Sequence, residues 1–187
     1  MINFSSASLK GKLGGLNLYL VGMMGSGKSM TGPILAKELL YGFVDMDTVI
    51  EKLAGKSIVK IFEEESESNF RDMEYQVLKS IGERHSLIVS TGGGVVLRRE
   101  NWGILRQGVV IWIDPGREVL IKRLTLDQGE RPLLKNGDPR SVIDELLVER
   151  RDFYSEADMH LIVKDESPEE VSNLILQNLP SIIKAPN

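Results

Sequence analysis

The chain has 187 residues and no cysteine, with 23 lysines and arginines against 27 aspartates and glutamates, which gives a formal net charge of −4. The lack of cysteine excludes a disulfide scaffold, a thiolate zinc site and a cysteine nucleophile, and it fits a reducing compartment such as the cytoplasm. The mild acidity gives no bulk attraction to nucleic acid or an anionic membrane, and no segment approaches the roughly 18 apolar residues of a membrane span. We therefore expect a cytoplasmic protein of one domain, without nucleic-acid or membrane partners.

Residues 1–15 contain serine, lysine and glycine but no apolar run, and we expect them to be a flexible lead-in. Beyond them, short apolar runs alternate with helical patterns. The apolar runs predict strands at 16–21, 41–44, 87–90, 109–113 and 160–163. The helical patterns cover 28–40, 47–53, 57–65, 69–84, 98–106, 117–126, 141–154 and 168–179. Such alternation predicts an α/β sandwich around a parallel sheet.

A glycine-rich segment, GMMGSGKS at 22–29, follows the first predicted strand and opens the first long helix. It matches the P-loop pattern, in which backbone N–H groups and the helix N-terminus hold phosphates. In that pattern Lys28 reaches the β- and γ-phosphates, and the Ser29 hydroxyl binds Mg²⁺. The alternative is a purely structural glycine turn.

Gly32 and Pro33 fall within the following helix, where proline removes a backbone donor, so we expect a kink near Ser29 or a late helix start.

Asp45 and Asp47 follow the second predicted strand, at the end of the sheet where open α/β folds bind ligands. If the chain is extended there, both carboxylates point the same way. One carboxylate could orient the water around Mg²⁺, and the other could accept a hydroxyl proton. The alternative is that Asp45 only ends the strand and Asp47 only caps the next helix.

Two stretches interrupt the strand–helix alternation: the helical insertion at about 47–84 and the polar segment 127–139, the positions where substrate pockets and lids tend to lie. In the insertion, Arg71 and Glu74 share one helix face, so the carboxylate could hold the guanidinium in place for an anionic ligand. In the polar segment, Arg131 could act as a mobile cation over a transferring phosphoryl group. For each arginine the alternative is an ordinary surface residue.

Three consecutive glycines, Gly92, Gly93 and Gly94, follow the third predicted strand. A plain turn rarely needs three, so we expect the backbone there to approach a ligand; tight packing beneath the P-loop is the alternative.

In the helix at 141–154, Arg150 lies on the apolar stripe, whereas Arg151 faces solvent. An inward arginine is costly unless it meets an anion, although it could also pair with a structural carboxylate.

The ordered set of motifs resembles that of the shikimate kinases, a branch of the P-loop proteins that are similar to nucleoside-monophosphate kinases. The motifs are GMMGSGKS at 22–29, DMD at 45–47, IF at 61–62, FRDME at 70–74, GGG at 92–94, RPLL at 131–134 and RRDFY at 150–154. The resemblance covers residues 16–179. It implies a P-loop-type three-layer sandwich with a five-stranded parallel sheet, a substrate-binding insertion and a mobile lid.

The same resemblance implies transfer of the ATP γ-phosphate to the 3-hydroxyl of shikimate, giving shikimate 3-phosphate and ADP on the route to chorismate and the aromatic amino acids. ATP and Mg²⁺ would be required, and we expect a monomer. Lys28, Asp47 and Arg131 would be the catalytic residues, and Asp45 would reach the Mg²⁺ on Ser29 through water. The nucleotide contacts would be Gly25, Ser26, Gly27, Lys28, Ser29, Met30, Arg123 and Arg131. The shikimate contacts would be Asp47, Arg71, Gly92, Gly93, Gly94 and Arg150, with the two arginines on its carboxylate.

Two other functions remain open from the sequence. One is a related kinase with another small acceptor, such as gluconate or a nucleoside monophosphate. The other is a relative that binds nucleotide or a partner without catalysis. The combination of acidic, arginine and glycine motifs disfavours the first, and the retention of the whole set disfavours the second.

Overall fold

A computed structural model describes residues 6–126, 132–134 and 138–183. All five predicted strands are present: β1 (Leu18–Val21), β2 (Gly42–Asp45), β3 (Leu87–Ser90), β4 (Val109–Asp114) and β5 (Met159–Ile162). They form one parallel sheet in the order β2-β3-β1-β4-β5. This order places the carboxyl ends of β2, β3 and β1 side by side, and the motifs that follow these three strands therefore converge at one edge of the sheet.

Helices connect the strands and cover the sheet. They are α1 (Ser6–Leu13), α2 (Lys28–Leu39), α3 (Met46–Ala54), α4 (Ile58–Glu64), α5 (Glu67–Gly82), α6 (Arg99–Leu105), α7 (Arg117–Leu126), α8 (Pro139–Tyr154) and α9 (Pro168–Ile182). Short 3₁₀ helices cover Val95–Leu97 and Pro132–Leu134. Each of the eight predicted helices is confirmed. Among the described ranges, no helix combines the length and the apolar character that crossing a membrane requires.

The predicted flexible lead-in is wrong for residues 6–13, which form α1. Leu9 and Leu13, four residues apart on one helix face, are almost completely buried and join the core beside α2. The N-terminal part of the chain thus closes one edge of the hydrophobic core. Residues 1–5 lie outside the described ranges.

Successive residues along each central strand enter two different cores. On β1, Tyr19 and Val21 belong to a core with residues of α3, α5 and α6, whereas Leu18 and Leu20 belong to a core with residues of α1, α2 and α9. A strand that buries both faces is typical of a parallel sheet between two helical layers. The three-layer sandwich is therefore confirmed.

The first long helix does not start late: α2 begins at Lys28 and continues through Pro33. Pro33 lies on the exposed side, where water can satisfy the carbonyl group that lacks a helical donor. Gly32 has a separate role in packing. A Cβ atom at that position would lie 2.3 Å from the Phe43 ring, so only glycine lets α2 pack this closely against β2.

Candidate active site

The loop between β1 and α2 has a backbone that only glycine adopts readily. Gly22, Gly25 and Gly27 have φ angles of 139°, 77° and 102°. A Cβ atom at Gly22 would also lie 2.5 Å from the carbonyl oxygen of Ile113 on β4. The loop therefore lies directly against the sheet and leads into the N-terminus of α2, the arrangement that favours phosphate binding.

The Lys28 side chain folds back over this loop. Its ammonium group donates hydrogen bonds to the carbonyl oxygens of Gly22 and Met23, at 2.8 and 2.9 Å, and to Ser26 Oγ at 3.2 Å. The side chain is buried although it carries a charge. These contacts hold the Lys28 ammonium group over the loop. A bound anion could replace the neutral carbonyl and hydroxyl oxygens as its hydrogen-bond acceptor.

Three oxygen-bearing side chains meet beside the P-loop. Ser29 Oγ donates to Asp45 Oδ2 at 2.5 Å and lies 3.1 Å from Ser90 Oγ. Hydroxyl and carboxylate oxygens are ligands that suit Mg²⁺. The residues therefore fit the predicted metal site, to which the sequence interpretation assigned Ser29 and Asp45 but not Ser90. Within the described residues, no cluster of three histidines or acids could hold a metal.

Asp45 and Asp47 do not lie in one extended segment, because Asp45 ends β2 and α3 begins at Met46. Asp45 Oδ1 caps α3 by accepting from the backbone N–H groups of Asp47 and Thr48. Asp45 thus ends β2 as predicted and lies beside Ser29. It also caps α3, a role that the sequence interpretation gave to Asp47. The predicted alternative of Asp47 as the cap is wrong.

Asp47, in the first turn of α3, has a buried Oδ1 atom without a hydrogen-bond partner. Burial raises the pKa of its carboxyl group; the nearby Asp45 raises it further, and Lys28 opposes the rise. A carboxylate with a free acceptor atom and a raised pKa is suited to receive a proton from a bound hydroxyl group.

The predicted pair of Arg71 and Glu74 is present on α5. Arg71 donates to Glu74 Oε2 and to Glu67 Oε1, each at 2.9 Å. Glu74 is completely buried, and burial raises the pKa of its carboxyl group against the attraction of Arg71. The two carboxylates fix the orientation of the guanidinium. Its remaining N–H groups could donate to a further anion.

Arg150 on α8 points inward, as the sequence predicts, and only 2% of it is exposed. Its Nε and Nη1 atoms are buried without hydrogen-bond partners. Nε lies 3.5 Å from Glu149 Oε2, an ion-pair contact to a side chain that is itself half exposed. Arg151 is exposed, also as predicted.

The three glycines after β3 lie against these charged groups. A Cβ atom at Gly92 would be 2.4 Å from Glu74 Oε1, and one at Gly94 would be 2.3 Å from Arg71 Nη2. A Cβ atom at Gly93 would be 3.3 Å from the Met24 backbone nitrogen. The glycines therefore pack tightly, Gly93 against the P-loop and Gly92 and Gly94 against the charged pair on α5, and all three line a pocket.

Two adjoining cavities contain these groups. The first, of about 450 Å³, is lined by the P-loop and also by Met30, Thr91, Arg123, Leu124, Glu166, Pro168 and Val171. The second, of about 280 Å³, is lined by Thr48, Glu51, Ile58, Val59, Phe62, Phe70, Arg71, Glu74, Gly92, Gly94, Pro132, Leu133 and Arg150. Met24, Asp47 and Gly93 line both cavities. The structure thus brings together the predicted site residues except Arg131, which lies outside the described ranges.

Arg123 and Glu166 complete the first cavity from the far side of the P-loop. Arg123 Nη1 donates to the carbonyl oxygens of Gly25 and Ser26, at 3.2 and 3.4 Å. Glu166 and Pro168 were missed from the sequence. They follow β5, and the rule that ligands bind at the carboxyl ends of parallel strands could have indicated them.

The chain matches a known protein family over most of its length. The shikimate kinase family model matches residues 24–180. A shikimate kinase of Prochlorococcus marinus strain MIT 9313 is 57% identical over 178 residues, which cover 95% of this chain and 93% of the relative.

Solved structures agree with that result. Shikimate kinase from Acinetobacter baumannii in complex with shikimate is 34% identical with a TM-score of 0.87, covering 92% of this chain and 97% of that one. Shikimate kinase from Aquifex aeolicus is 36% identical with a TM-score of 0.75, covering 89% and 97%. Because the sequence matches span nearly the whole chain and the fold agrees, this chain belongs to the shikimate kinase family.

Proposed function

We propose that this chain transfers the γ-phosphoryl group of ATP to the 3-hydroxyl of shikimate. The observation that carries the proposal is the second cavity, where two buried guanidinium groups and an unpaired carboxylate oxygen lie beside the P-loop. A small polyol with one carboxylate matches this combination. The arginines suit its carboxylate, and Asp47 suits one of its hydroxyl groups.

The first cavity is the proposed ATP site. Lys28 and the backbone of Gly25, Ser26 and Gly27 hold the phosphates, as the P-loop pattern requires. Met30 and Arg123 line the same cavity. They would contact the nucleotide, with Arg123 beside the adenine. Ser29 would hold Mg²⁺ and Asp45 would reach it through water. When bound there, Mg²⁺ would neutralise negative charge on the phosphates.

Asp47 is the proposed base because it lines both cavities. Its carboxylate holds the accepting hydroxyl group and takes the proton as the new O–P bond forms. Arg71 and Arg150 fix the substrate carboxylate, and the backbone of Gly92, Gly93 and Gly94 lines the cavity beside them. The acceptor is thereby oriented toward the phosphoryl group, and positioning of this kind supplies much of the rate in phosphoryl transfer.

Arg131 is assigned a role from the family resemblance: we expect it to neutralise charge on the transferring phosphoryl group. Pro132, its neighbour in sequence, and Leu133 line the second cavity, which we call the acceptor cavity because it is the proposed shikimate site. That placement supports the lid assignment for residues 127–139.

A coupled assay of ADP release tests the proposal, with shikimate, gluconate and nucleoside monophosphates compared at saturating ATP and Mg²⁺. We expect ADP release that depends on shikimate. Release that depends on gluconate or a nucleotide instead would indicate another acceptor. ATP binding without turnover on any of these acceptors would indicate a non-catalytic relative.

We further propose that the enzyme is a cytoplasmic monomer without nucleic-acid or membrane partners. The charged groups of both cavities come from a single chain, so a second copy is not needed to complete the site. Sedimentation equilibrium at micromolar concentration should give the mass of one chain, 20.9 kDa.

A further inference from the structure

Tyr154, in the last turn of α8, contacts the glycine segment directly. Its hydroxyl group donates to the carbonyl oxygen of Gly93 at 2.5 Å. The ring is buried and stacks on Trp112 of β4, with ring centroids 5.5 Å apart. Because the Tyr154 ring is buried and stacked, it cannot rotate freely, and its hydroxyl group stays in one position.

The hydrogen bond fixes a peptide group that has few other restraints. Val95 N–H donates to the Gly92 carbonyl and Leu97 N–H to the Gly94 carbonyl, so the flanking peptides are fixed by the backbone. The Gly93 carbonyl receives its hydrogen bond from Tyr154. Because consecutive glycines permit many backbone conformations, a restraint from outside the segment determines which one is populated.

The orientation of this peptide also sets the direction of the next N–H group. In a trans peptide, the carbonyl of Gly93 and the N–H of Gly94 point in opposite directions, and no peptide of the described residues is cis. With the carbonyl turned toward Tyr154, the Gly94 N–H points away from α8. In the described part of the chain this N–H has no hydrogen-bond acceptor, and Gly94 lines the second cavity next to the Arg71 guanidinium.

The Tyr154 hydroxyl group remains a donor under all ordinary conditions. Burial raises the pKa of Tyr154 strongly, so the phenol stays protonated across the range in which the enzyme would work. Ionisation of the phenol therefore does not break the hydrogen bond to Gly93.

We propose that Tyr154 is a positioning residue: it holds the Gly93–Gly94 peptide so that the Gly94 N–H donates to an oxygen atom of the bound acceptor. This inference rests on the proposed function, because the acceptor is taken to be shikimate. Tyr154 lines neither cavity. Because it also interacts with the Arg150 side chain, the Gly94 amide signal is needed beside the KM to identify the route through the glycine backbone.

Tyr154→Phe tests the role, because phenylalanine keeps the ring and its stacking on Trp112. We expect the KM for shikimate to rise roughly tenfold, as for the loss of one hydrogen bond, while the KM for ATP stays unchanged. Tyr19→Phe is the matched control, since Tyr19 is equally buried and its hydroxyl group lies 3.5 Å from Asn17 Nδ2, outside both cavities. Its KM values should match those of the wild type.

A second measurement needs neither turnover nor a stable variant. In ¹H–¹⁵N spectra of the wild-type chain, shikimate without ATP should shift the Gly94 amide signal downfield, as expected for a newly formed hydrogen bond. An unchanged Gly94 signal at saturation, or an unchanged KM for shikimate in Tyr154→Phe, would overturn the role of Tyr154. A chain that binds shikimate with this shift but does not phosphorylate it would contradict the proposed function alone.

Discussion

Arg150 shows how a single residue can reveal a binding site. Its guanidinium is almost entirely buried, yet two of its nitrogen atoms lack hydrogen bonds. Burial of a charge without full compensation destabilises a fold, so an arginine in this state is expected where a ligand supplies the missing acceptors. Arg71 differs, because Glu67 and Glu74 already hold it.

Arg150→Met should weaken the binding of shikimate without lowering the stability of the fold. Methionine fills similar space without a charge, so the free energy of unfolding should not fall. The KM for shikimate should rise roughly tenfold to a hundredfold, because hydrogen bonds to a charged group contribute about 1.5–3 kcal/mol. Steady-state kinetics and thermal unfolding measure the two effects.

Arg151→Met is the control, since the adjacent arginine is exposed. It should change neither the KM nor the melting temperature. A KM for shikimate that stays at the wild-type value in Arg150→Met would make Arg150 a structural residue.

Asp47→Asn should abolish most turnover without weakening ATP binding. A positioned general base contributes roughly 100-fold or more to the rate, so kcat should fall by at least that factor while the Kd for ATP changes little. The acid limb of the wild-type kcat profile should lie above the usual carboxyl range, because burial raises the pKa of Asp47. An equal loss of ATP binding and kcat would contradict the assignment.

The same substitution should stabilise the protein at neutral pH. A pKa raised in the folded state means that ionised Asp47 opposes folding above that pKa. Removing the charge should raise the melting temperature at neutral pH. The gain should disappear as the pH falls below the unfolded-state carboxyl pKa, where Asp47 is protonated in both states. Thermal unfolding across this pH range measures the difference.

Several site residues could be predicted because their chemistry is unusual at their positions. An arginine on an apolar stripe and three consecutive glycines both conflict with ordinary packing, and such conflicts mark sites. Ser90 and Glu166 gave no such signal, because a serine and a glutamate are unremarkable near a strand end. Only the sheet order, which places β3 beside both β1 and β2, brings Ser90 to Ser29.

At the scale of elements, the apolar patterns predicted the strands and the eight other helices correctly, but they did not predict α1. Its serine, lysine and glycine content and low amphipathicity are typical of a loop, and among residues 8–13 it is Leu9 and Leu13 that join the core. Tertiary packing on α2 stabilises a segment whose own propensity is weak. Sequence patterns do not reveal such a helix, because the stabilising partner is distant in the chain.

Leu13→Ala should therefore destabilise the fold as a core substitution does. The expected loss is about 2–5 kcal/mol in the free energy of unfolding, measured in urea. Leu53→Ala is the control and should have little effect, since 76% of Leu53 is exposed. An effect of Leu13→Ala no larger than that of the control would mean that α1 does not contribute to the cooperative core.

For the whole molecule, the net charge is a poor guide to the ligands. The chain carries −4 overall, yet the proposed ligands are all anions. The sheet order concentrates Lys28, Arg71, Arg123 and Arg150 around two cavities that share one wall, so the local potential is set by the fold rather than by composition.

The position of the transferred phosphate tests the central claim most directly. The product formed from ATP and shikimate is examined by ³¹P–¹H correlation spectroscopy. The account predicts a single phosphate coupled to the proton on carbon 3, formed with one ADP per product. A phosphate on another hydroxyl group, or ADP release without a phosphorylated product, would contradict it.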